Sequence, residues 1–359
     1  MTLDISGQTR VVSLPEAPRT WQLLIDGKWT EAADRRRFDR QSPAHGVLVG
    51  DYAQAGAADA DAAIAAARRA FDHGPWSHLK GAERAAVLRR VGEAVRNRIE
   101  EFAVLEVLES GKPIVQARAE IAGAADLWDY AASLARTLHG DSYNTLGDDM
   151  LGLVLREPIG VVSIITPWNF PFLILSQKLP FALAAGCTTV VKPSELTPGT
   201  TLLLGQLLQE AGLPDGVVNI LAGYGNPVGQ RMIEHPDVDM VSFTGSTGVG
   251  KAVVRASAET LKKVSLELGG KNPQIVFADA DLEAALDAVV FGVYFNAGEC
   301  CNSGSRLLIQ KSIAEDFTAA VIERARKVLV GDPLLETTRV GSIVNQAQFD
   351  KIRGYIDDA

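Results

Sequence analysis

The stretch that decides the fold is Pro158-Ile159-Gly160-Val161-Val162-Ser163-Ile164-Ile165-Thr166-Pro167-Trp168-Asn169-Phe170-Pro171-Phe172-Leu173-Ile174-Leu175-Ser176-Gln177. It carries no charge, and its length alone would admit a membrane span. Pro158, Pro167 and Pro171 interrupt it, Asn169 sits near its middle, and a proline inside a helix costs about 3 kcal/mol. The run therefore reads as a buried strand, Val161–Thr166, then a loop, then a helix start. The same alternation continues downstream. Strands are expected at Thr188–Lys192, Val217–Leu221, Met240–Thr244 and Val264–Leu268, with helical patterns at Phe172–Ala185, Thr200–Ala211, Pro227–Glu234 and Gly248–Ala258 between them. Such βαβ order implies a parallel sheet covered on both faces, a doubly wound Rossmann-type unit of the α/β class.

Upstream of Pro158 the chain reads as helical. Ala-rich Ala60–Phe71 places Ile64, Ala67 and Phe71 on one face, and Val87, Val91, Val95 and Ile99 recur at four-residue spacing in what reads as one further helix. Gly111, with Pro113 just after it, stops a helix near Ser110. Leu138–Glu157 lacks a helical period. Beyond Gly270 a second strand–helix series, Pro273–Phe277, Asp281–Ala297, Arg306–Gln310 and Ile313–Val328, is assigned to a second domain.

Composition narrows the function classes. At 359 residues, 47% of them hydrophobic, the chain has material for about two cores. Its net charge of −9 and the absence of a Lys/Arg-rich block argue against a nucleic-acid partner. Three cysteines, two of them adjacent, make no disulfide framework, and no basic and apolar leader follows Met1. A cytoplasmic location and no membrane partner are the expectation.

Chemistry concentrates in a few places. Phe295-Asn296-Ala297-Gly298-Glu299-Cys300-Cys301-Asn302-Ser303-Gly304-Ser305-Arg306 sets a cysteine pair after a Gly-centred turn, which suits a thiolate nucleophile. Gly245-Ser246-Thr247-Gly248-Val249-Gly250-Lys251 lies between a strand and a helix, where backbone N–H groups favour a phosphate. It misses the nucleotide-triphosphate loop, because Ala252 has no oxygen for Mg²⁺. Gly223-Tyr224-Gly225-Asn226-Pro227-Val228-Gly229 falls one residue short of the dinucleotide fingerprint. Glu195, after the strand end at Lys192, can accept hydrogen bonds from ribose hydroxyls and would repel a 2′-phosphate. The five histidines show no ligand spacing, so no metal site is expected. A Cys-His hydrolase is the rival chemistry, and it would leave the βαβ half and both Gly-rich loops without a role.

Thr166-Pro167-Trp168-Asn169-Phe170-Pro171, Leu266-Glu267-Leu268-Gly269-Gly270-Lys271 and the Cys300-Cys301 segment occur in that order, Glu267 following Asn169 by 98 residues and Cys301 following Glu267 by 34. Together they resemble the hydrolytic, NAD(P)-dependent branch of the aldehyde dehydrogenase superfamily, from about Leu24 to the last residue. The resemblance implies an NAD-binding domain of residues 1–137 and 158–270, an oligomerisation arm of 138–157, and a catalytic domain of 271–359 that family members continue past Ala359. It implies a homodimer or homotetramer acting on a small-molecule aldehyde. Cys301 would be the nucleophile, Asn169 and the Cys301 backbone N–H the oxyanion donors, and Glu267 the base that hydrolyses a thioester, given partial burial. NAD, with NADP as the alternative, would lie against Ile165, Thr166, Pro167, Trp168, Lys192, Ser194, Glu195, Gly225, Gly229, Phe243, Thr244, Gly245, Ser246, Val249, Leu268 and Gly269. Phe170, Ile174, Gln177, Cys300 and Asn302 would line an aldehyde tunnel. Glu299 departs from the family, which usually has Gln there, and adds a carboxyl group that would raise a neighbouring acid or oppose thiolate formation. A non-catalytic or inactive truncated relative that retains only dinucleotide binding is the alternative.

Overall fold

The structure is a computed structural model that describes residues 10–358; the expectations attached to Met1 and Ala359 fall outside that range. Five short strands come first: β1 (Arg19–Trp21), β2 (Leu23–Ile25), β3 (Lys28–Thr30), β4 (Arg37–Gln41) and β5 (Leu48–Ala53). The expectation of a wholly helical first half overlooked them. Three of the five are only three residues long, too short for a period-two pattern to show.

Four helices follow, α1 (Ala57–Asp72), α2 (Gly81–Asn97), α3 (Ile99–Ser110) and α4 (Ile114–Thr137). Ile99 does not continue the valine stripe of α2, because Arg98 leaves helical geometry at φ −120°, ψ 23° and a new helix starts after it. Gly111 ends α3 in the left-handed region, φ 83°, where a Cβ would also collide with Ser342. Residues 138–157 form a hairpin of β6 (Asp141–Tyr143) and β7 (Gly152–Val154), paired antiparallel.

The decisive stretch opens with β8 (Val161–Ile165), every residue of it buried. The expected helix at Phe172–Ala185 is two helices, α5 (Pro171–Ser176) and α6 (Leu179–Ala185), with Pro180 in the first turn of the second. Then come β9 (Thr188–Lys192), α7 (Gly199–Glu210), β10 (Val218–Ile220), α8 (Gln230–Glu234), β11 (Met240–Gly245), α9 (Thr247–Ala258) and β12 (Lys263–Leu268). The pattern at Pro227–Glu234 helds only from Gln230 as α-helix; Gly225–Gly229 make one wider turn.

The large sheet has the order β12-β11-β8-β9-β10-β2-β3. Its first five strands are parallel, and β2 and β3 extend it antiparallel. The chain builds outward from β8 through β9 and β10, then returns to β8's other side to lay down β11 and β12. The strand order therefore reverses between β8 and β11, which opens a crevice at their carboxyl ends.

A second, smaller apolar cluster around Val276, Leu286, Val289 and Phe317 is separate from the main core. It is built from β13 (Pro273–Val276), α10 (Leu282–Tyr294), β14 (Arg306–Ile309) and α11 (Ala314–Ala325), with β13 and β14 parallel. α10 stops three residues short of the expected Ala297, because Asn296 and Ala297 turn left-handed. A last helix, α12 (Gln346–Asp357), is capped by the Asn345 side chain accepting from the Gln348 N–H at 2.8 Å.

Candidate active site

The cysteine pair sits on a turn of unusual backbone. Asn296, Ala297 and Gly298 have φ of 50°, 55° and 76° in succession, and a left-handed alanine is a strained residue that its surroundings must hold. Two hydrogen bonds do so: the buried Asn296 side chain donates to the Asn169 carbonyl at 2.8 Å, and the Glu299 N–H donates to the Asn296 carbonyl at 2.9 Å. In return the Asn169 side-chain amide donates to the Glu299 carbonyl at 2.5 Å. The Asn169 loop after β8 and the cysteine turn after α10 are thus stitched together in both directions.

On that turn the two thiols differ. Cys301 is exposed, whereas the half-buried Cys300 points back toward the Phe295 carbonyl, 3.5 Å away. Burial pushes the Cys300 thiol up to about 12, reinforced by Glu120 and opposed by Lys112, so it stays protonated at neutral pH.

Cys301 opens onto a cavity of about 720 Å³ that also receives Phe170, Ile174, Gln177, Glu267 and Asn302. These residues come from the β8–α5 loop, α5, the end of β12 and the cysteine turn. Most of the remaining wall is apolar: Ile159, Val162, Ile164, Leu173, Phe181, Met240 and Phe295. Glu267 is exposed at the end of β12, where partial burial was expected. Asn169 and Cys300 do not belong to the lining.

Two cations beside this site escaped the sequence reading. Lys178, in the break between α5 and α6, donates to the Ser242 hydroxyl at 3.1 Å. Burial lowers its ammonium, and the nearby Glu267 carboxylate opposes that shift. Lys112 is buried between α3 and α4, 4.6 Å from the centre of the Phe170 ring, and is held by Glu106 at 2.9 Å and by Glu120. A lysine directly after an uncharged apolar run was a signal for the first. Nothing local could have announced the second.

Most of the residues expected to contact a dinucleotide lie at or just after the carboxyl ends of β8, β9 and β11. Thr166 and Thr244, at the carboxyl ends of those strands, each bury a hydroxyl oxygen that has no partner among the described residues. Ser246 caps α9, accepting from the Val249 N–H at 3.4 Å, and a side chain at Gly248 would meet nothing within 4 Å. At Gly245 a Cβ would lie 2.5 Å from the Phe243 ring, so any other residue would have to displace that ring. Lys192 is buried, donates to the Pro193 and Gly223 carbonyls at 2.8 Å each, and lies 3.9 Å from Glu195. Burial pulls its ammonium down to about 8, against the pull of Glu195. A Cβ at Gly229 would rest 3.6 Å from the Lys192 side chain, so the Gly225–Gly229 turn closes directly over it. Ile165, Ser194 and Phe243 are buried; Pro167, Trp168 and Leu268 are half-buried; Val249 and Gly269 are exposed. Orphaned hydroxyls, a capped helix N-terminus and glycine-bounded space fit the phosphates and ribose of a dinucleotide. Among the described residues no group of three or more His, Cys, Asp or Glu side chains is arranged to hold a metal ion, and no helix is long and apolar enough to cross a membrane.

The sequence profile of the Aldehyde dehydrogenase family matches residues 29–359. The aldehyde dehydrogenase family 2 member C4 of Arabidopsis thaliana is 42% identical over 348 residues, 96% of this chain and 69% of that protein. Among solved structures, the NAD-dependent aldehyde dehydrogenase from Sinorhizobium meliloti superposes with a TM-score of 0.93 at 53% identity, covering 95% of this chain and 68% of that one. The NAD+ complex of aldehyde dehydrogenase from Bacillus cereus does so with a TM-score of 0.92 at 37% identity, covering 94% and 69%.

Proposed function

This chain belongs to the aldehyde dehydrogenase family, and we propose that it oxidises an aldehyde to the carboxylic acid with NAD, through a covalent adduct on Cys301. The observation that carries this reading is that the exposed Cys301 thiol and the Glu267 carboxylate open onto one mostly apolar cavity.

Attack of the Cys301 thiolate on the carbonyl carbon forms a C–S bond and leaves the charge on oxygen, as a thiohemiacetal. That oxyanion needs donors. An amide nitrogen carries two hydrogens, so Asn169, with one committed to the Glu299 carbonyl, keeps a second to offer beside the Cys301 N–H. Bound NAD would supply the acceptor for the hydride that leaves this carbon. What remains on sulfur is a thioester, and Glu267 takes a proton from the water that cleaves it, returning the Cys301 thiolate and releasing the acid. Exposure of Glu267 gives water free access to it.

Thr166, Lys192, Glu195, Thr244, Ser246 and the Gly225–Gly229 turn would seat the dinucleotide, and the Glu195 carboxylate favours NAD over the 2′-phosphorylated NADP. The apolar wall, with Gln177 and Asn302 as its amide groups, suits a medium-sized aliphatic or polar aldehyde. Residues 1–137 and 158–270 would act as the dinucleotide domain, 271–359 as part of the catalytic domain, and the 138–157 hairpin as the arm that joins subunits. Exposed Leu146, Met150, Leu151, Leu153 and Leu155 on the hairpin support that role. The test is to incubate the protein with NAD and a panel of aldehydes, and to measure NADH and acid. One acid per NADH supports the reading; no NADH with any aldehyde counts against it.

A further inference from the structure

We propose that Lys112 is a positioning residue for the substrate cavity: its buried ammonium, braced by Glu106 and Glu120, holds the Phe170 ring in place, and that ring sets how tightly the cavity grips the apolar tail of an aldehyde. The proposal rests on the reading of that cavity as the aldehyde site.

The placement starts in the backbone. Lys112 lies in the short connection between α3 and α4, with left-handed Gly111 before it and Pro113 at the head of α4 after it. The Lys112 N–H donates to the Ser110 hydroxyl at 3.3 Å, and the Ile114 N–H donates to the Pro333 carbonyl at 2.8 Å. The side chain therefore leaves from a point fixed on both sides. Its ammonium donates to Glu106 on α3 at 2.9 Å and to Glu120 on α4, and Glu120 also accepts from the Gln116 side chain at 2.8 Å. Two of its three hydrogens are so committed. The nitrogen then sits 4.6 Å from the centre of the Phe170 ring, within the distance at which a cation is drawn to the negative face of an aromatic ring.

Phe170 carries this contact to the cavity. Its ring stacks on Phe295, with centroids 6.1 Å apart and planes inclined by 26°, and both rings line the cavity onto which Cys301 opens. The Phe170 carbonyl accepts from the Ile174 N–H at 3.0 Å at the start of α5, which fixes its main chain. A ring already held before a ligand arrives loses less freedom when the ligand binds. Burying three ionisable groups gains little stability, because well-packed apolar residues of similar volume do as well or better. Lys112, Glu106 and Glu120 are all buried, and set against a cavity-lining ring the trio has a use that stability does not supply.

The test alkylates Cys301 with iodoacetamide and with its N-hexyl derivative, each rate being read by peptide mass spectrometry. The ratio of the two rates measures the grip on an apolar tail and cancels any change in the thiol's own reactivity. The unmodified protein is compared with Lys112→Met, Phe170→Leu, the double variant, and protein carrying pentafluorophenylalanine at position 170, which keeps the ring's shape, inverts its charge distribution and leaves the buried trio intact. Lys112→Met and the fluorinated ring are each expected to lower the ratio about threefold to tenfold. Once Phe170 is leucine, Lys112→Met should lower it no further, because the lysine acts through the ring. A ratio unchanged by the fluorinated ring, or a Lys112→Met effect that persists in full beside Phe170→Leu, would overturn the proposal. Should Lys112→Met fail to fold, the fluorinated protein decides alone. Alkylation needs neither NAD nor an aldehyde, so this outcome is separate from a failure of the catalytic reading, which Cys301→Ser with undiminished NADH production would reveal.

Discussion

Replacing Lys112 with methionine removes a buried charge while keeping a side chain of similar length. The ammonium and both partner carboxylates are nearly inaccessible, with side-chain exposures of 2% for Lys112, 0% for Glu106 and 6% for Glu120. Burial alone would lower the Lys112 ammonium, but Glu106 and Glu120 together hold it above its ordinary value. Burial pushes the Glu120 carboxyl up, against the pull of Lys112. In the native protein one ammonium thus stands against two buried carboxyl groups. With the ammonium gone, a carboxylate there has no counter-charge, and folding must add a proton to it. Its ordinary value is 4.5; holding one further proton at pH 8 costs about 4–5 kcal/mol at about 1.4 kcal/mol per pH unit, and about 1 kcal/mol at pH 5. The sign follows from linkage: the variant's folded state binds more protons than its unfolded state above pH 4.5, so its stability falls as pH rises. The pH 8 figure agrees with the 3–5 kcal/mol typical of breaking a buried pair from one side. Urea denaturation at both pH values measures the difference. A loss below about 1 kcal/mol at pH 8, or the same loss at pH 5 and pH 8, would refute the reasoning.

Other outcomes follow from the site. Cys301→Ser should abolish aldehyde oxidation, whereas Cys300→Ser, at a thiol that stays protonated, should mainly change substrate preference; steady-state kinetics on both separates them, and equal loss would leave the assignment unsupported. NAD should bind more tightly than NADP, and Glu195→Gln should narrow the gap, less so at high salt because the repulsion is screened; equal affinities of the unmodified protein in calorimetry would count against the role of Glu195. Replacing Leu151, Leu153 and Leu155 with serine should lower the mass measured by light scattering, since these are exposed leucines of the hairpin; an unchanged mass would remove the arm from the account.

How much was legible depended on how local the signal was. Strands β8, β9, β11 and β12 were readable to within a residue or two: β8, β9 and β11 because parallel strands buried in a sheet are largely apolar, and β12 although it lies exposed at the sheet edge. The doubly wound order followed from them. β2 and β3 were not readable, since three residues carry no period and their place is set by pairing with β10 far along the chain. The Gln177–Lys178 break hid inside an apolar run, although Pro180 marked it. Asn296 and Ala297 turn left-handed under tertiary hydrogen bonds, where local propensity would have continued α10. At the site, Cys301, Glu267 and Asn169 stood out by motif. The Lys112–Phe170 contact did not, because it joins segments that only the folded chain brings together.

The most direct test of covalent catalysis at Cys301 with Glu267 as the hydrolytic base is to trap the acyl group. Glu267→Gln is mixed with NAD and an aldehyde that the unmodified protein oxidises; NADH is followed through the first turnover, and the cysteine peptide is then weighed. The account predicts a burst of one NADH per site, little turnover afterward, and an acyl mass increment on Cys301. Undiminished steady turnover, or an acyl group on Cys300 instead, would contradict it.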